Sequence, residues 1–449
     1  MPGPADVSRE SVSPDGEPSR RTFIKTSSAV VAAGTLASSL ASARHAHAGG
    51  ASEEIKIVLI GAGGRGTGAA AHAMNTAGPV KLVAIADAFA DSAQHALKEL
   101  KPHYGNKVDV PQERVFSGLD AYRKAIAVDC DMVILATPPG FRPIHFDAAV
   151  KAGKHVFMEK PVATDAAGVR QVLATTQEAK KKNLAVAVGL QRHHEKRYIE
   201  TIKRLQDGAI GDIVGARAYW DGAGVWTRPR RPGQTEMEYQ VRNWYYFNWL
   251  CGDHIVEQHI HNLDVINWLK GGYPVRANGM GGRQVRTGKD HGEIFDHHFV
   301  EFTYGDGMML ASQCRHIPGC FDRVNEYCQG TKGSADIGGA VIFDAKGKKI
   351  WGFGSGGGNG HQQEHHDLFA QLRKGEIPNE GEYGALSTMT SIMGRMCTYS
   401  GKELTWDQCL NSNVELGVKD FQSFSDNPPV KPNADGRYTI ATPGVTRVV

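Results

Sequence analysis

The chain reads as an α/β protein with two sheets: an N-terminal doubly wound parallel sheet, then a C-terminal α/β domain with an open, mainly antiparallel sheet. Three observations predict this. From residue 55 to about 188, short β-branched runs alternate with helical stretches, as in a parallel sheet with covering helices. A glycine-rich turn, Gly61-Ala62-Gly63-Gly64-Arg65-Gly66, closes the first of those runs. After Gly189 the runs at 213–219, 297–304 and 308–313 alternate apolar with polar residues, the pattern of strands with one covered face.

The strands of the first half are expected at 55–60, 82–86, 132–136, 155–158 and 185–188. Gly61 permits a tight turn, Gly63 lets backbone approach a diphosphate, and Gly66 lets the following helix pack close to its strand. An anion would rest on the free amides that open the helix. Asp87 ends the second strand 26 positions after Gly61, slightly beyond the roughly 20 expected of the carboxylate that accepts the ribose hydroxyls of a dinucleotide. That charge repels a 2′-phosphate and no arginine follows it directly, so NAD is expected rather than NADP. In a chain with 53 glycines a purely structural loop is the alternative, but two apolar strands frame this one.

Composition narrows the class. The 449 residues, 41% hydrophobic and 22% charged, suit a globular chain of two domains. A formal charge of +3 leaves no electrostatic footprint for nucleic acid. The first fifty residues differ. Ser19-Arg20-Arg21-Thr22-Phe23-Ile24-Lys25 precedes an alanine-rich apolar stretch at 29–43, and Ala46-His47-Ala48 offers small residues for cleavage. The stretch is too short for a stable membrane span, and it resembles the twin-arginine export signal. The expected division is a signal at 1–48, a dinucleotide-binding domain at 52–188 and a substrate domain at 189–449. A periplasmic location and a passage through the twin-arginine export machinery follow. Seven cysteines without a C-x-x-C pair point to buried free thiols, with a disulfide among Cys314, Cys320 and Cys328 as the alternative.

An aromatic insertion at 219–250 carries four tryptophans, Trp220, Trp226, Trp244 and Trp249, with Arg242 among them. Sugars stack their C–H faces on such rings while polar neighbours read the hydroxyls, so Arg242 and Trp244 are candidate substrate contacts. Core packing is the even alternative for any one ring.

Three further stretches make the resemblance specific: the glycine turn, Ala136-Thr137-Pro138-Pro139 with His145, and Ala152-Gly153-Lys154-His155-Val156-Phe157-Met158-Glu159-Lys160-Pro161. Together they resemble the Gfo/Idh/MocA oxidoreductases over residues 54–190. The resemblance implies a Rossmann domain that binds NAD through Gly61, Gly63, Gly64, Arg65, Gly66, Asp87, Thr137, Pro138, His145, Glu159, Lys160 and Gln191. It also implies a small-molecule carbohydrate or polyol substrate, a homo-oligomer built on the open sheet, and Lys160 at the reacting carbinol. The family's second signature, Asp-x-Gly-x-His-x-x-Asp, corresponds here to Glu257-Gln258-His259-Ile260-His261-Asn262-Leu263-Asp264, with Glu257 in place of Asp and bulkier residues between.

On one helix, 257, 261 and 264 share a face at i, i+4 and i+7. Lys160, Glu257 and His261 are the candidate catalytic set, and Lys160, Glu257, His261 and Asp264 are expected at the substrate. His261 suits a base near neutral pH, Lys160 serves as base or as a donor polarising the oxygen, and the two are the proton-handling pair with Glu257 to orient and charge-balance them. A NAD-assisted glycoside hydrolase that returns its hydride, and a sugar-binding protein without catalysis, are the rival readings. The 19 histidines raise a metal site, but His254-Ile255-Val256-Glu257-Gln258 misses the inverted zinc-protease pattern at its last residue. No metal is expected.

Overall fold

A computed structural model describes residues 53–449 except Val418. The export signal therefore lies outside the described residues.

The first sheet consists of β1 (Ile55–Ile60), β2 (Val80–Asp87), β3 (Val115–Ser117), β4 (Met132–Leu135), β5 (His155–Met158) and β6 (Val186–Val188). Its order is β3-β2-β1-β4-β5-β6, with every neighbouring pair parallel. The inner strands are apolar apart from Lys56 and His155, because helices cover both faces. The chain leaves β1 for β2 on one side and enters β4 on the other. This reversal opens a crevice at the strands' carboxyl ends, and ligands bind in such crevices. Strand β3 was not expected: three half-covered edge residues carry no readable period.

The second sheet has nine strands: β7 (Ile213–Gly222), β8 (Arg276–Gly282), β9 (His297–Thr303), β10 (Met309–His316), β11 (Arg323–Gly330), β12 (Gly333–Asp336), β13 (Val341–Asp344), β14 (Lys349–Gly352) and β15 (Leu404–Thr405). They run in the order β14-β13-β12-β11-β7-β10-β9-β8-β15. All pairs are antiparallel except the central β7 and β10. One face is buried through Val300, Phe302, Leu310 and Cys314. The other carries Met280, 73% exposed, opposite the half-buried Phe299.

A 20-residue helix, Gly381–Ser400, packs under this sheet, and it is almost wholly buried despite its hydroxyls. Thr388, Ser391 and Thr398 donate to carbonyls of their own helix, which satisfies them without water. One apolar cluster joins Val58, Val133 and Val156 of the first sheet to Val300 and Leu310 of the second through Met389 and Ile392. The helix Gly360–Arg373 returns to the first sheet and lies against Gly64–Met74.

The expected continuous helix across 257–264 is absent. Asp253 has φ +75°, His254–Glu257 makes a single turn, and a second helix begins at Ile260. The amide of His261 bonds the Gln258 carbonyl at 3.3 Å instead of that of Glu257. No helix among the described residues is long and apolar enough to cross a membrane. All seven cysteines are free; six are buried and Cys320 is exposed, contrary to the expectation of burial for all.

Candidate active site

The crevice holds a cavity of about 950 Å³ along the carboxyl ends of β1, β2 and β4. Gly61 turns at φ +94°, where a Cβ would sit 2.5 Å from the backbone of Ala136 and Thr137. A Cβ on Gly66 would lie 1.8 Å from the Gly61 carbonyl oxygen, so the helix start is pressed onto the turn. Gly63 and Gly64 face open space instead. Gly63 brings no side-chain cap to the helix it precedes, which leaves first-turn amides for an anion. This cradle fits a dinucleotide diphosphate.

Asp87 accepts from the amides of Ala62 (2.7 Å) and Phe89 (2.9 Å), and so pins the turn to the end of β2. Burial raises its pKa, and those amide bonds oppose the rise. Thr137 and Pro138 line the cavity beside β4. The Thr137 hydroxyl meets His145 Nδ1 at 3.2 Å, and that ring stacks between Tyr122 and Phe141. Burial, with the charge of Arg142 added, drives the His145 pKa down to about 3, so the imidazole is neutral.

Glu159 and Lys160 follow β5. Arg65 reaches from the glycine turn to Glu159 at 2.5 Å and to Glu364 at 2.8 Å. Lys160 Nζ donates to both the carboxylate (2.9 Å) and the main-chain carbonyl (2.5 Å) of Glu257. The helix break is what frees that carbonyl. His261 is buried, stacks on Trp220 with centroids 5.8 Å apart, and keeps Nδ1 unpartnered. Burial, reinforced by the Lys160 charge, holds its pKa well below the ordinary value. The Gln191 side-chain oxygen, just beyond β6, is likewise buried and unpaired.

Of the expected substrate contacts, Arg242 and Trp244 line the cavity, whereas Asp264 pairs within the fold. Arg242 pairs with Asp91 at 3.1 and 3.2 Å and covers the Phe89 ring, at the β2 end of the cavity. Three strand spacings separate β2 from β5, roughly 14 Å at 4.7–4.9 Å each. Arg242 therefore lies at the Asp87 end of the cavity rather than beside Lys160. Trp244 lines the same cavity edge-on to Trp226. Asp264 is taken up by Ser387 (2.7 Å) and His193 (2.8 Å). Within the aromatic insertion, Tyr245, Tyr246, Phe247 and Trp249 are core residues. Only partly covered rings such as Trp226 reach the cavity.

Sequence reasoning missed Arg142, Glu364 and His361. The Arg142 guanidinium is fully buried and donates to the carbonyls of Thr137, Glu159 and Pro161, tying the ends of β4 and β5. Glu364 and His361 arrive from a helix 200 residues beyond Lys160, where nothing local signals the contact.

A glycine-turn dinucleotide crevice joined to a lysine–carboxylate–histidine group defines the class, an oxidoreductase scaffold of two sheets. Residues 55–190 match the family described as "Oxidoreductase family, NAD-binding Rossmann fold", and residues 198–335 match its "GFO/IDH/MocA C-terminal domain". The chain belongs to the Gfo/Idh/MocA oxidoreductase family. Residues 17–37 match the twin-arginine translocation signal, which marks the chain for export to the periplasm. The chain is 28% identical over 223 residues to the inositol 2-dehydrogenase of Rhizobium meliloti, covering 49% of this chain and 56% of that protein. Over 229 residues it is 28% identical to the 2,7-anhydro-N-acetylneuraminate hydratase of Mediterraneibacter gnavus, covering 49% and 55%. The chain thus spans about half the length of the curated relatives it matches. A levoglucosan dehydrogenase in complex with NADH and levoglucosan shares the fold, with a TM-score of 0.61 at 18% identity over 79% of this chain and 100% of that one.

Proposed function

We propose that the protein is an NAD-dependent oxidoreductase acting on a CH–OH group of a sugar, glycoside or polyol, with its cofactor tightly held. The observation that carries this reading is the pairing of Lys160 with Glu257, just after the β5 end that Arg65 ties to the glycine turn, with His261 near enough to feel the Lys160 charge. Gly61 to Gly66 would hold the diphosphate, Asp87 the ribose, and Thr137, Pro138, His145, Glu159 and Gln191 the remainder. When bound, NAD supplies a hydride acceptor for the carbinol carbon. The chain's own residues manage the proton. Lys160 and His261 form the proton-handling pair at the carbinol oxygen, and Glu257 orients and charge-balances them. The dehydrogenase names among the relatives support this class of substrate.

Export favours a cofactor that is recycled at each turnover rather than exchanged. We further assign residues 1–48 to the signal, 52–188 to cofactor binding and 189–449 to substrate binding. The open sheet face around Met280 and Phe299 is assigned to a homo-oligomer contact. The second reading, NAD-assisted cleavage with the hydride returned, draws support from a relative named for a hydratase, a reaction without net oxidation.

One experiment addresses both. The mature protein is purified, its bound NAD(H) measured, and sugars and aryl glycosides carrying deuterium at the reacting carbon are supplied. Label on the cofactor or an acceptor supports the dehydrogenase, and label returned to the product supports the cleavage reading. Absence of bound or bindable NAD removes both.

A further inference from the structure

Beneath the helical turn that carries Glu257, the described residues hold a cluster with no part in the site above. Asp253, His254 and His298 each present a ligating atom, all within 4.8 Å of one another, and all three residues are buried. The sequence pattern missed it because His298 comes from β9, 44 positions after His254.

The Thr398 hydroxyl, itself bonded to carbonyls of its own helix, meets His298 Nδ1 at 2.9 Å and fixes that ring's orientation. His298 Nε2 lies 3.3 Å from Asp253 Oδ1. His254 Nδ1–H donates to the same Oδ1 at 2.7 Å, which leaves His254 Nε2 without a partner. A third ring, His316, stacks on His254 with centroids 4.3 Å apart. Its Nε2–H is spent on Gln258, and its Nδ1 is also unpartnered and buried. Asp253 Oδ2 is already committed to the Phe295 amide (2.9 Å) and the Tyr399 hydroxyl (2.5 Å).

Each unsatisfied buried nitrogen in a dry interior carries a desolvation cost. A bound cation removes that cost. Two imidazoles and a carboxylate suit a divalent ion of borderline softness, and a hydroxyl that fixes the far nitrogen is the usual outer partner of a ligating histidine. We propose that Asp253, His254 and His298 bind a divalent transition-metal ion, with Zn²⁺ the fitting case. Its role is structural, because the ligands are closed to the cavity. It fastens the positive-φ backbone of Asp253 and, through it, the turn that delivers Glu257 to Lys160. A site this enclosed fills as the chain folds, before a folded protein is exported.

The test is metal analysis of the purified mature protein produced with Zn²⁺ in the medium. One equivalent of metal should survive dialysis of the native protein against EDTA and be lost when it is unfolded in guanidinium with EDTA. Refolding with Zn²⁺ should then restore a higher melting temperature than refolding without it. His298→Gln should lower retained metal roughly tenfold or more, as should Thr398→Val through its loss of orientation. His95→Ala, which removes an exposed imidazole elsewhere, should change nothing. Wild-type protein that holds no more metal than His298→Gln, and that melts identically after refolding with or without Zn²⁺, would overturn the site. Because the wild-type chain decides that outcome, misfolding of a variant does not obscure it.

Discussion

Lys160 Nζ is bound twice by Glu257, once through the carboxylate and once through the main-chain carbonyl freed by the helix break. A side chain held at two points has one position, which a residue that must meet a single substrate oxygen requires. Lys160→Ala or His261→Ala should therefore lower turnover by about 10²–10⁴-fold while leaving NAD bound. Glu257→Gln keeps the carbonyl contact and should cost less than either. Steady-state rates together with cofactor content check this, and near-full turnover in both alanine variants places the chemistry elsewhere.

The proposed preference for NAD rests on Asp87, and Arg242 brings the opposite charge to the same end of the cavity. Asp87→Ala removes the proposed ribose acceptor together with the anchor of the Ala62 amide, so NAD should bind more weakly and the preference over NADP should narrow. Asp91→Asn frees Arg242 from its bidentate partner and should improve NADP binding with little loss of NAD. Titration of both cofactors against each variant tests the pair of effects. Tighter binding of NADP than NAD by the unmodified protein contradicts the assignment of Asp87.

Stability should fall on the alkaline side. Burial opposes charge on His194, but Glu380 and Asp367 outweigh it and push its pKa up to about 9. A histidine raised above its unfolded value binds more proton in the native state. Its stabilisation is complete below about pH 6.5, declines as pH rises, and is gone above about pH 9, amounting to at most about 3 kcal/mol. His194→Gln should flatten the stability slope between those values in chemical denaturation. An unchanged slope rules the linkage out.

Export depends on residues outside the described structure. Replacing Arg20 and Arg21 by Lys should leave precursor in the cytoplasm, and normal delivery of that double variant would refute the twin-arginine route. Fractionation with an antibody to the mature chain reads the result.

Periodicity and glycine chemistry act locally, and both were legible in the chain. The parallel sheet, the turn at Gly61, the carboxylate ending β2 and the E-K-P stretch after β5 all follow from contiguous residues. So did the alternating strands of the second sheet, although alternation alone does not distinguish the parallel β7–β10 pair from antiparallel neighbours. Contacts across the fold were not legible. The helical period from 257 to 264 suggested one face, but tertiary bonds at Asp253 and Lys160 outcompeted the local ladder and split the helix. That break turned Asp264 to His193 and Ser387 and gave Lys160 a carbonyl. Arg242 sits among aromatic residues in the sequence, yet packing carried it to Asp91. Glu364, His361 and the Asp253–His254–His298 group come together only in three dimensions, because burial and hydrogen-bond satisfaction, unlike helical or strand period, depend on what the rest of the chain brings alongside.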